Sequence, residues 1–266
     1  MQVFSFGGGV QSMAALILSA QRSLPYTHFV FSNVGNDSEN PLTLQYIKNV
    51  ATPFAVQHGL EIIEIERTRR DGTPITIYQD VMGDTSSICI PVHLKGSGPA
   101  SRNCTSKWKA NVVSQWMRKH AGASKTNRVA LGVGISIDEY HRMRTDDPVR
   151  EPYVRKEYPL IDMRVTRADC QRIISNAGLP LAPKSSCYFC PFKRRNEWAR
   201  MRTDQPELFL QSVQMERRIN EKRAAAGKDL VFLTAAEKPL DLATDEATDK
   251  MFDDDMLGCE SGYCMT

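Results

Sequence analysis

The chain has 266 residues, of which 41% are hydrophobic and 24% charged, with a formal net charge of +3. This is the composition of a soluble globular protein with its own core, and the net charge is too small to indicate a nucleic-acid binder by itself. The longest apolar run near the start, residues 13–18, is too short to cross a bilayer. We expect no signal peptide, no membrane anchor and a cytoplasmic location.

The first part of the chain, up to about residue 140, alternates short apolar runs with helical patterns. The predicted strands are "QVFSF", "THFVFSNVG", "LEIIEIER" and "RVALGVGIS", and the helices between the first three are "QSMAALILSAQ" and "PLTLQYIKNVATPFAVQHG". Such βαβαβ alternation predicts a parallel sheet covered by helices. We therefore expect an α/β fold with a doubly wound parallel sheet of Rossmann-like type.

After the third predicted strand come one irregular stretch and four further helical patterns, in "TSKWKANVVSQWMRKHAG", "RADCQRIISNAG", "KRRNEWARMR" and "QPELFLQSVQMERRINEKRAAAG". Residues 67–103 are rich in Gly, Ser, Thr and Pro without a sustained period, which indicates a long excursion carrying substrate contacts. Residues 145–157 are polar and proline-bearing and mark the candidate domain boundary. We predict a nucleotide-binding α/β domain over residues 1–160, and a helical region with a CxxC knuckle and a cysteine-bearing tail over residues 161–266.

Three consecutive glycines, Gly7, Gly8 and Gly9, follow the first predicted strand in "SFGGGVQS". A glycine-rich turn between a strand and a helix leaves backbone N–H groups accessible and directs the positive end of the helix at an anion. The loop is not a P-loop of the G-x-x-x-x-G-K-[ST] type, because no Lys follows. It also fits a dinucleotide fingerprint poorly, because Ser12 stands where the third glycine should be. The sequence thus predicts a phosphate cradle.

Several motifs, in chain order, resemble those of the adenine nucleotide alpha-hydrolase superfamily, the N-type ATP pyrophosphatases or PP-loop proteins, and within it the phosphoadenosine phosphosulfate reductase-like family. "SFGGGVQS" is similar to the family's S-G-G-x-D-S loop. The other similar segments are "NVGNDSENPLTLQYI", "SRNCTSKWK", "GVGISIDEYHRMR" and the "YPLIDMRVTRADCQ" stretch that leads into "CYFCPF". The resemblance covers roughly residues 1–200 and implies the fold of that superfamily, with ATP and Mg²⁺ as its ligands.

In the glycine loop, the resemblance assigns a phosphate contact to Ser12. Its hydroxyl should hold the β- or γ-phosphate, with the N–H groups of Gly8, Gly9 and Gln11 around it. Gly7 and Gln11 stand where the common loop has Ser and Asp.

Beyond the loop, four more positions are implied as nucleotide contacts. Asn33 stands at the Asp of the family's D-T-G segment and should meet an adenine or ribose edge, unless it only closes a strand end. After the fourth strand, Arg142 should contact phosphate, and Asp138 and Glu139 should hold Mg²⁺. Solvated loop charge is the alternative for all three.

The seven cysteines form an odd set in a chain without an export signal, which favours ligation or catalysis over a disulfide framework. Cys187 and Cys190, in "CYFC", can reach one metal ion or cluster from a single turn. Cys104 lies in the element that the reductase family also uses for cluster ligation. Cys264 is the favoured fourth ligand, with Cys259 as the alternative.

These ligands predict a 4Fe–4S cluster, with Zn²⁺ as the alternative, because tetrahedral sulfur ligation suits both. Cys264 also resembles the catalytic cysteine near the C-terminus of assimilatory reductases, in which case it would be a nucleophile instead. Cys170 is expected to be packed in the interior.

Taken together, the sequence predicts an ATP-dependent, adenylating and pyrophosphate-releasing sulfurtransferase that acts on a nucleobase or nucleic acid. The catalytic residues would be Ser12, Arg142 and Cys264, and the sulfur would come from a donor protein or sulfide. The basic helices of residues 193–223 would bind nucleic acid, or are simply solvated. A sulfonucleotide reductase and a nucleotide-binding module with structural zinc are the alternatives, and a homodimer is left open.

Overall fold

The computed structural model describes residues 1–85, 88–101 and 103–244. Its strands are β1 (Val3–Ser5), β2 (His28–Asn33), β3 (Glu61–Glu66), β4 (His93–Leu94), β5 (Gly98–Pro99), β6 (Val129–Val133), β7 (Val154–Glu157) and β8 (Val231–Phe232). Five of them form one sheet in the order β3-β2-β1-β6-β7, in which all neighbours run parallel. The other three form a small antiparallel sheet in the order β5-β4-β8.

Helices cover both faces of the parallel sheet. They are α1 (Val10–Ala20), α2 (Pro41–Tyr46), α3 (Thr52–Gln57), α4 (Ile77–Met82), α5 (Asn111–His120), α6 (Pro159–Asp162), α7 (Arg167–Asn176), α8 (Arg195–Asp204), α9 (Pro206–Ala225) and α10 (Leu240–Ala243). Wider π-helical turns join α2 to α3 (Ile47–Ala51) and precede α5 (Thr105–Ala110). A short 3₁₀ turn, Ile137–Arg142, follows β6.

Alternation along β2 divides the core between the two faces of the sheet. Phe29 and Phe31 belong to the core under α1 and α7, whereas Val30 packs with Val113 and Met117 of α5 on the other face. Because both faces bury apolar side chains under helices, the predicted doubly wound parallel sheet is confirmed.

Strand β7 lies inside the polar segment that suggested a domain boundary. Its residues, "VRKE", pair in parallel with β6 at the edge of the sheet. An edge strand can carry charge because one side of it faces solvent, and Arg155 and Glu157 form an ion pair there at 2.9 Å. The C-terminal end of residues 145–157 is therefore a strand of the parallel sheet, and a domain boundary in this segment stays a prediction.

A second core lies under α4, α8 and α9 and includes Trp198 and Phe209. The sequence pattern predicted an irregular excursion over residues 67–103 and helices with a knuckle after residue 160, and it gave no sign of the antiparallel sheet, because strands of two residues show no periodicity. This core draws Ile77 and Trp108 from before residue 160, while α7, from after it, packs against α1. The division of the chain at residue 160 stays a prediction.

Within the described residues, none of the helices combines the length and apolar character needed to cross a membrane.

Candidate functional site

The strand order creates a crevice between β1 and β6. The chain fills the sheet outward from β1 through β2 to β3, then crosses over to β6 and β7 on the other side. At such a switch point the loops leaving neighbouring parallel strands diverge, and ligands of open α/β sheets bind there, outside the carboxyl ends. Two segments border this crevice: the glycine loop after β1 and the turn after β6.

The glycine loop is held tightly by its neighbours. Gly8 has a φ of +71°, and a Cβ atom there would come within 2.8 Å of both Thr43 Cγ2 and Ile47 Cδ1. A Cβ atom on Gly9 would lie 2.8 Å from Ser185 Oγ. The positive φ and the close approach of α2 therefore explain the glycine at position 8, whereas the contact at position 9 is with a hydroxyl that can rotate.

The loop presents a set of backbone donors to the crevice. Within the described part of the chain, the N–H groups of Gly7, Gly8, Val10, Gln11 and Ser12 make no hydrogen bond. The last three are the first N–H groups of α1, where an α-helix has no internal partners for them and carries partial positive charge. The loop can therefore bind an anion through its backbone.

Ser12, the predicted phosphate contact, folds back onto the loop. Its hydroxyl accepts a hydrogen bond from Gly9 N at 3.1 Å and donates one to Gly9 O at 3.0 Å. The side chain thus fixes the shape of the loop at the position where the resemblance implies a phosphate. Its contact with phosphate stays a prediction.

A buried polar network joins the two segments across the crevice. Gln11 Nε2 donates to Glu139 Oε2 at 3.1 Å, and Arg142 Nη1 donates to the same oxygen at 2.7 Å. Glu139 is 4% exposed and Arg142 6% exposed. Arg167 Nη1 donates to Gln11 Oε1 at 3.1 Å and completes the network.

Some hydrogen-bonding groups of this network, two donors and one acceptor, are not used. Arg142 Nε and Nη2 and Glu139 Oε1 are buried without a hydrogen-bond partner in the described structure. A buried guanidinium with unpaired N–H groups is costly, so such groups usually await a ligand or water. Arg142 thus lies after the carboxyl end of β6 with two nitrogens that make no hydrogen bond in the described structure, and its contact with phosphate stays a prediction.

The predicted Mg²⁺ contacts are both engaged with protein groups. Asp138 Oδ1 accepts a hydrogen bond from Arg167 N at 3.1 Å, and Glu139 is paired with Arg142 as described. Among residues 1–85, 88–101 and 103–244, no group of three or more His, Cys, Asp or Glu side chains is placed to hold a metal ion. Carboxylate oxygens suit Mg²⁺, and metal binding at these two residues stays a prediction.

Asn33 closes the end of β2. Its Nδ2 donates to Asn36 Oδ1 at 2.9 Å and to Glu64 Oε1 at 2.6 Å, and its Oδ1 accepts from Gly35 N at 2.8 Å. The contacts with Asn36 and Gly35 shape the turn that follows, and the contact with Glu64 joins the end of β2 to β3. The predicted contact with adenine or ribose stays a prediction.

The CxxC segment forms one turn, in which Cys190 N donates to Cys187 O at 3.1 Å. Cys187 and Cys104 are half-buried and pack on the second core, where Cys89 is buried. Thiolates are the donors that iron–sulfur clusters and zinc prefer, although the described residues do not assemble three ligands. Cys259 and Cys264 lie outside the described residues. Cluster, zinc and these ligands stay predictions.

Cys170 is fully buried in the core beneath α1, as its helical pattern predicted. Burial raises the pKa of its thiol to about 12, so the group is neutral at physiological pH. It takes no part in the site.

A pocket of about 250 Å³ opens beside the CxxC turn, and sequence analysis missed it. It is lined by Asn36, Asp37, Glu39, Pro41, Tyr78, Tyr188, Leu208 and Gln211. Tyr188 lies between the two cysteines of the CxxC turn. An aromatic residue at that position was the sequence feature that could have indicated a pocket there. Glu39 is buried beneath the pocket and pairs with Lys109 at 3.6 Å.

Basic side chains at the C-terminal end of α9, in the region predicted to bind nucleic acid, are largely bound to the protein itself. Arg217 pairs with Asp241 at 2.7 Å and Arg218 with Asp84 at 2.7 Å. Lys222 Nζ donates to the carbonyl oxygens that end α4, Val81 O at 2.6 Å and Gly83 O at 3.0 Å. These residues join α9 to α4 and α10.

No protein-family model matches the chain, and no curated protein matches it either. Among solved structures, the U34-tRNA thiolase NcsA from Methanococcus maripaludis, determined with its 4Fe–4S cluster, shows a likeness that covers 82% of this chain and 70% of that one. The sequence identity is 12% and the TM-score 0.41. At these values the likeness transfers neither activity nor ligand to this chain.

Proposed function

We propose that the protein is an ATP-dependent sulfurtransferase that activates a carbonyl oxygen of a nucleobase by adenylation and replaces it with sulfur. The observation that carries this proposal is the crevice between β1 and β6. There, unpaired amides of the glycine loop and unpaired nitrogens of Arg142 converge from two strands that are neighbours in the sheet.

The residues at this crevice would bind and position the triphosphate. The N–H groups at the start of α1 would hold phosphate oxygens, and Arg142 would add a charged donor from the opposite side. Glu139 fixes Arg142 through its 2.7 Å hydrogen bond, and Gln11 couples Glu139 to the loop. Binding of phosphate would thus depend on the whole network.

In the proposed reaction, the acceptor's carbonyl oxygen attacks the α-phosphorus of ATP, and the bond to pyrophosphate breaks. Sulfur at the sulfide level then attacks the activated carbon, and AMP leaves with the former carbonyl oxygen. No net oxidation occurs. The sulfide comes from solution or from a donor protein.

The sulfur would be held beside the pocket by Cys104, Cys187 and Cys190. An iron–sulfur cluster bound there would present a sulfide to the acceptor. The donor chemistry of these residues fits such a group, and Cys264 is the proposed fourth ligand. Tyr188, between two of the cysteines, joins this region to the wall of the pocket.

Product analysis with ATP labelled in its α-phosphate tests the proposal. Formation of AMP and pyrophosphate in equal amounts, dependent on an acceptor nucleic acid and on sulfide, is the expected result. Formation of ADP, or no turnover under anaerobic conditions with iron-loaded protein, would contradict it. Release of sulfite from a sulfonucleotide in the presence of thioredoxin would identify a reductase instead.

A further inference from the structure

Residues 67–75, which follow β3, form a hairpin that carries arginines at its tip. Arg69 N donates to Thr73 O at 2.8 Å, and Ile75 N donates to Arg67 O at 3.0 Å. Asp71 Oδ1 accepts from the backbone and the hydroxyl of Thr73, at 2.9 and 2.6 Å. We call this segment the arginine hairpin.

The two tip arginines of the hairpin, Arg69 and Arg70, point into solvent. Both are exposed, and neither side chain makes a hydrogen bond or ion pair with the described residues. This distinguishes them from Arg217, Arg218 and Lys222 of α9, whose charged groups are bound to carboxylates and carbonyl oxygens. The positive charge of the hairpin is therefore available to a binding partner. The basic groups at the C-terminal end of α9 are instead bound to other groups of the protein.

The arginine hairpin is anchored to the pocket beside the CxxC turn. Thr76, the next residue, donates from its hydroxyl to Asp37 Oδ2 at 2.9 Å, and Tyr78 N donates to Ser38 Oγ at 3.0 Å. Asp37 and Tyr78 both line the pocket. The segment that follows the hairpin thus also forms part of the wall of the pocket.

The size and lining residues of the pocket suit a small planar ring such as a nucleobase. Its volume of about 250 Å³ is just below the roughly 300 Å³ at which pockets for drug-sized ligands begin. The half-buried Tyr78 contributes aromatic surface, the buried Tyr188 forms part of the wall, and the amides of the exposed Asn36 and Gln211 contribute hydrogen-bonding groups. Aromatic surface with a few amides is how proteins bind unstacked bases.

We propose that this pocket binds one unstacked base of a single-stranded nucleic acid, and that Arg69 and Arg70 bind the phosphates next to it. The proposal names the acceptor of the proposed sulfur transfer and rests on that function for its catalytic meaning. Binding itself requires neither ATP nor a cluster, so the two can be tested separately.

Fluorescence anisotropy with a labelled single-stranded RNA of about 12 nucleotides, without ATP, tests the hairpin. The Arg69→Glu/Arg70→Glu double variant should bind at least about tenfold more weakly at 0.1 M salt, because two phosphate contacts are lost. The slope of log affinity against log salt should fall by about 1.4, at about 0.7 per phosphate for single strands. The matched control is Lys119→Glu/Lys125→Glu, which makes the same charge change at two exposed lysines on the segment that leads from α5 to the amino end of β6. Equal losses in both variants would overturn the proposal.

A blocking variant tests the pocket without removing core atoms. Gln211 is exposed on α9 at the rim, and Gln211→Trp should fill the cavity and weaken binding of the single strand by about tenfold or more, at the scale of base stacking. Unchanged affinity of this variant for the single-stranded RNA would overturn a base pocket. So would a duplex that binds as tightly as the single strand, or polyglutamate that competes as well as a nucleic acid does. Oligonucleotide binding without pyrophosphate release would support the pocket and contradict the adenylation proposal.

Discussion

Gln11 donates a hydrogen bond to Glu139 at 3.1 Å and thereby joins the first turn of α1 to the turn after β6. Both side chains are buried, and the same carboxylate oxygen also receives Arg142. The proposed phosphate site is therefore a single connected unit, in which the position of Arg142 depends on the glycine loop.

Replacement of Arg142 should lower both the affinity for ATP and the stability of the fold, and the two effects can be measured separately. Arg142→Met should weaken ATP binding by about tenfold or more, since hydrogen bonds to charged groups contribute about 1.5–3 kcal/mol. It also leaves the buried Glu139 without its ion-pair partner and with only the hydrogen bond from Gln11, which should destabilise the fold by about 3–5 kcal/mol. Calorimetric titration with ATP and urea unfolding measure the two effects.

The Arg142→Met/Glu139→Leu double variant provides the matched comparison. Removing both charges should restore most of the stability without restoring ATP affinity. Arg128→Met, which breaks an ion pair with Asp146 just before β6, should leave ATP affinity unchanged. Recovery of binding in the double variant would show that Arg142 has only a structural role.

Two neighbouring glycines should respond differently to the same substitution. Gly8→Ala should destabilise the protein by about 1–3 kcal/mol or more, because its φ of +71° disfavours a side chain and the new methyl group would meet Thr43 and Ile47. Gly9→Ala has an ordinary φ of −102° and meets only the rotatable hydroxyl of Ser185, so its cost should stay within about 1 kcal/mol. Thermal unfolding compares them; equal destabilisation would mean that the contact with α2 does not constrain the loop.

The cysteines should divide into two reactivity classes. Cys104, Cys187 and Cys190 are half-buried and should be alkylated by iodoacetamide at pH 8. Cys89 and Cys170 are buried, and burial raises the pKa of both thiols, so they should react only on unfolding. Mass spectrometry of the labelled peptides measures this order.

Metal loading should then protect the reactive class alone. Anaerobic reconstitution with iron and sulfide should slow alkylation of Cys104, Cys187 and Cys190 together, with Cys187→Ala reducing protection of the other two. Protection of Cys187 and Cys190 without Cys104 would remove Cys104 from the proposed ligands.

The ion pair between Lys184 and Glu197 should make the free energy of unfolding depend on pH in the acidic range. Burial raises the pKa of Glu197, but hydrogen bonds from Lys184 and from Arg194 N outweigh it and hold this pKa below its ordinary value of 4.5. A carboxylate with a lowered pKa stabilises the fold above about pH 4.5 and loses that contribution as the pH falls through the folded pKa.

Glu197→Gln should therefore cost about 1 kcal/mol at pH 7, and the difference from the unchanged protein should shrink in acid. Urea unfolding at several pH values from 7 down to 3 measures it, with the exposed Glu66→Gln as control. A difference that stays constant with pH would assign the effect to packing instead.

The sequence was sufficient for the parallel sheet and the glycine loop, because both leave local signals. Apolar runs mark the strands β1, β2 and β6, and consecutive glycines mark the loop. Strand β7 gave no such signal, since three of its four residues are charged. The strands of the antiparallel sheet are too short to show a period.

The details of the site could not be predicted, because they depend on contacts between distant residues. Gln11 and Glu139 are separated by 128 positions, and no local pattern relates them. The pocket combines residues from the loop after β2, from α4, from the CxxC turn and from α9. Arg217 and Arg218 appeared to be free surface charge until their partners, Asp241 and Asp84, were placed beside them.

The position of β1 in the middle of the sheet has a consequence for biosynthesis. Its first neighbour, β2, leaves the ribosome soon after it, but its second neighbour, β6, follows only after more than a hundred residues. Until then one apolar edge of the nascent chain has no partner, and such edges are where chains aggregate. Truncation just before Val129 should therefore yield an insoluble fragment, while slow translation of the intervening segment would lengthen dependence on chaperones.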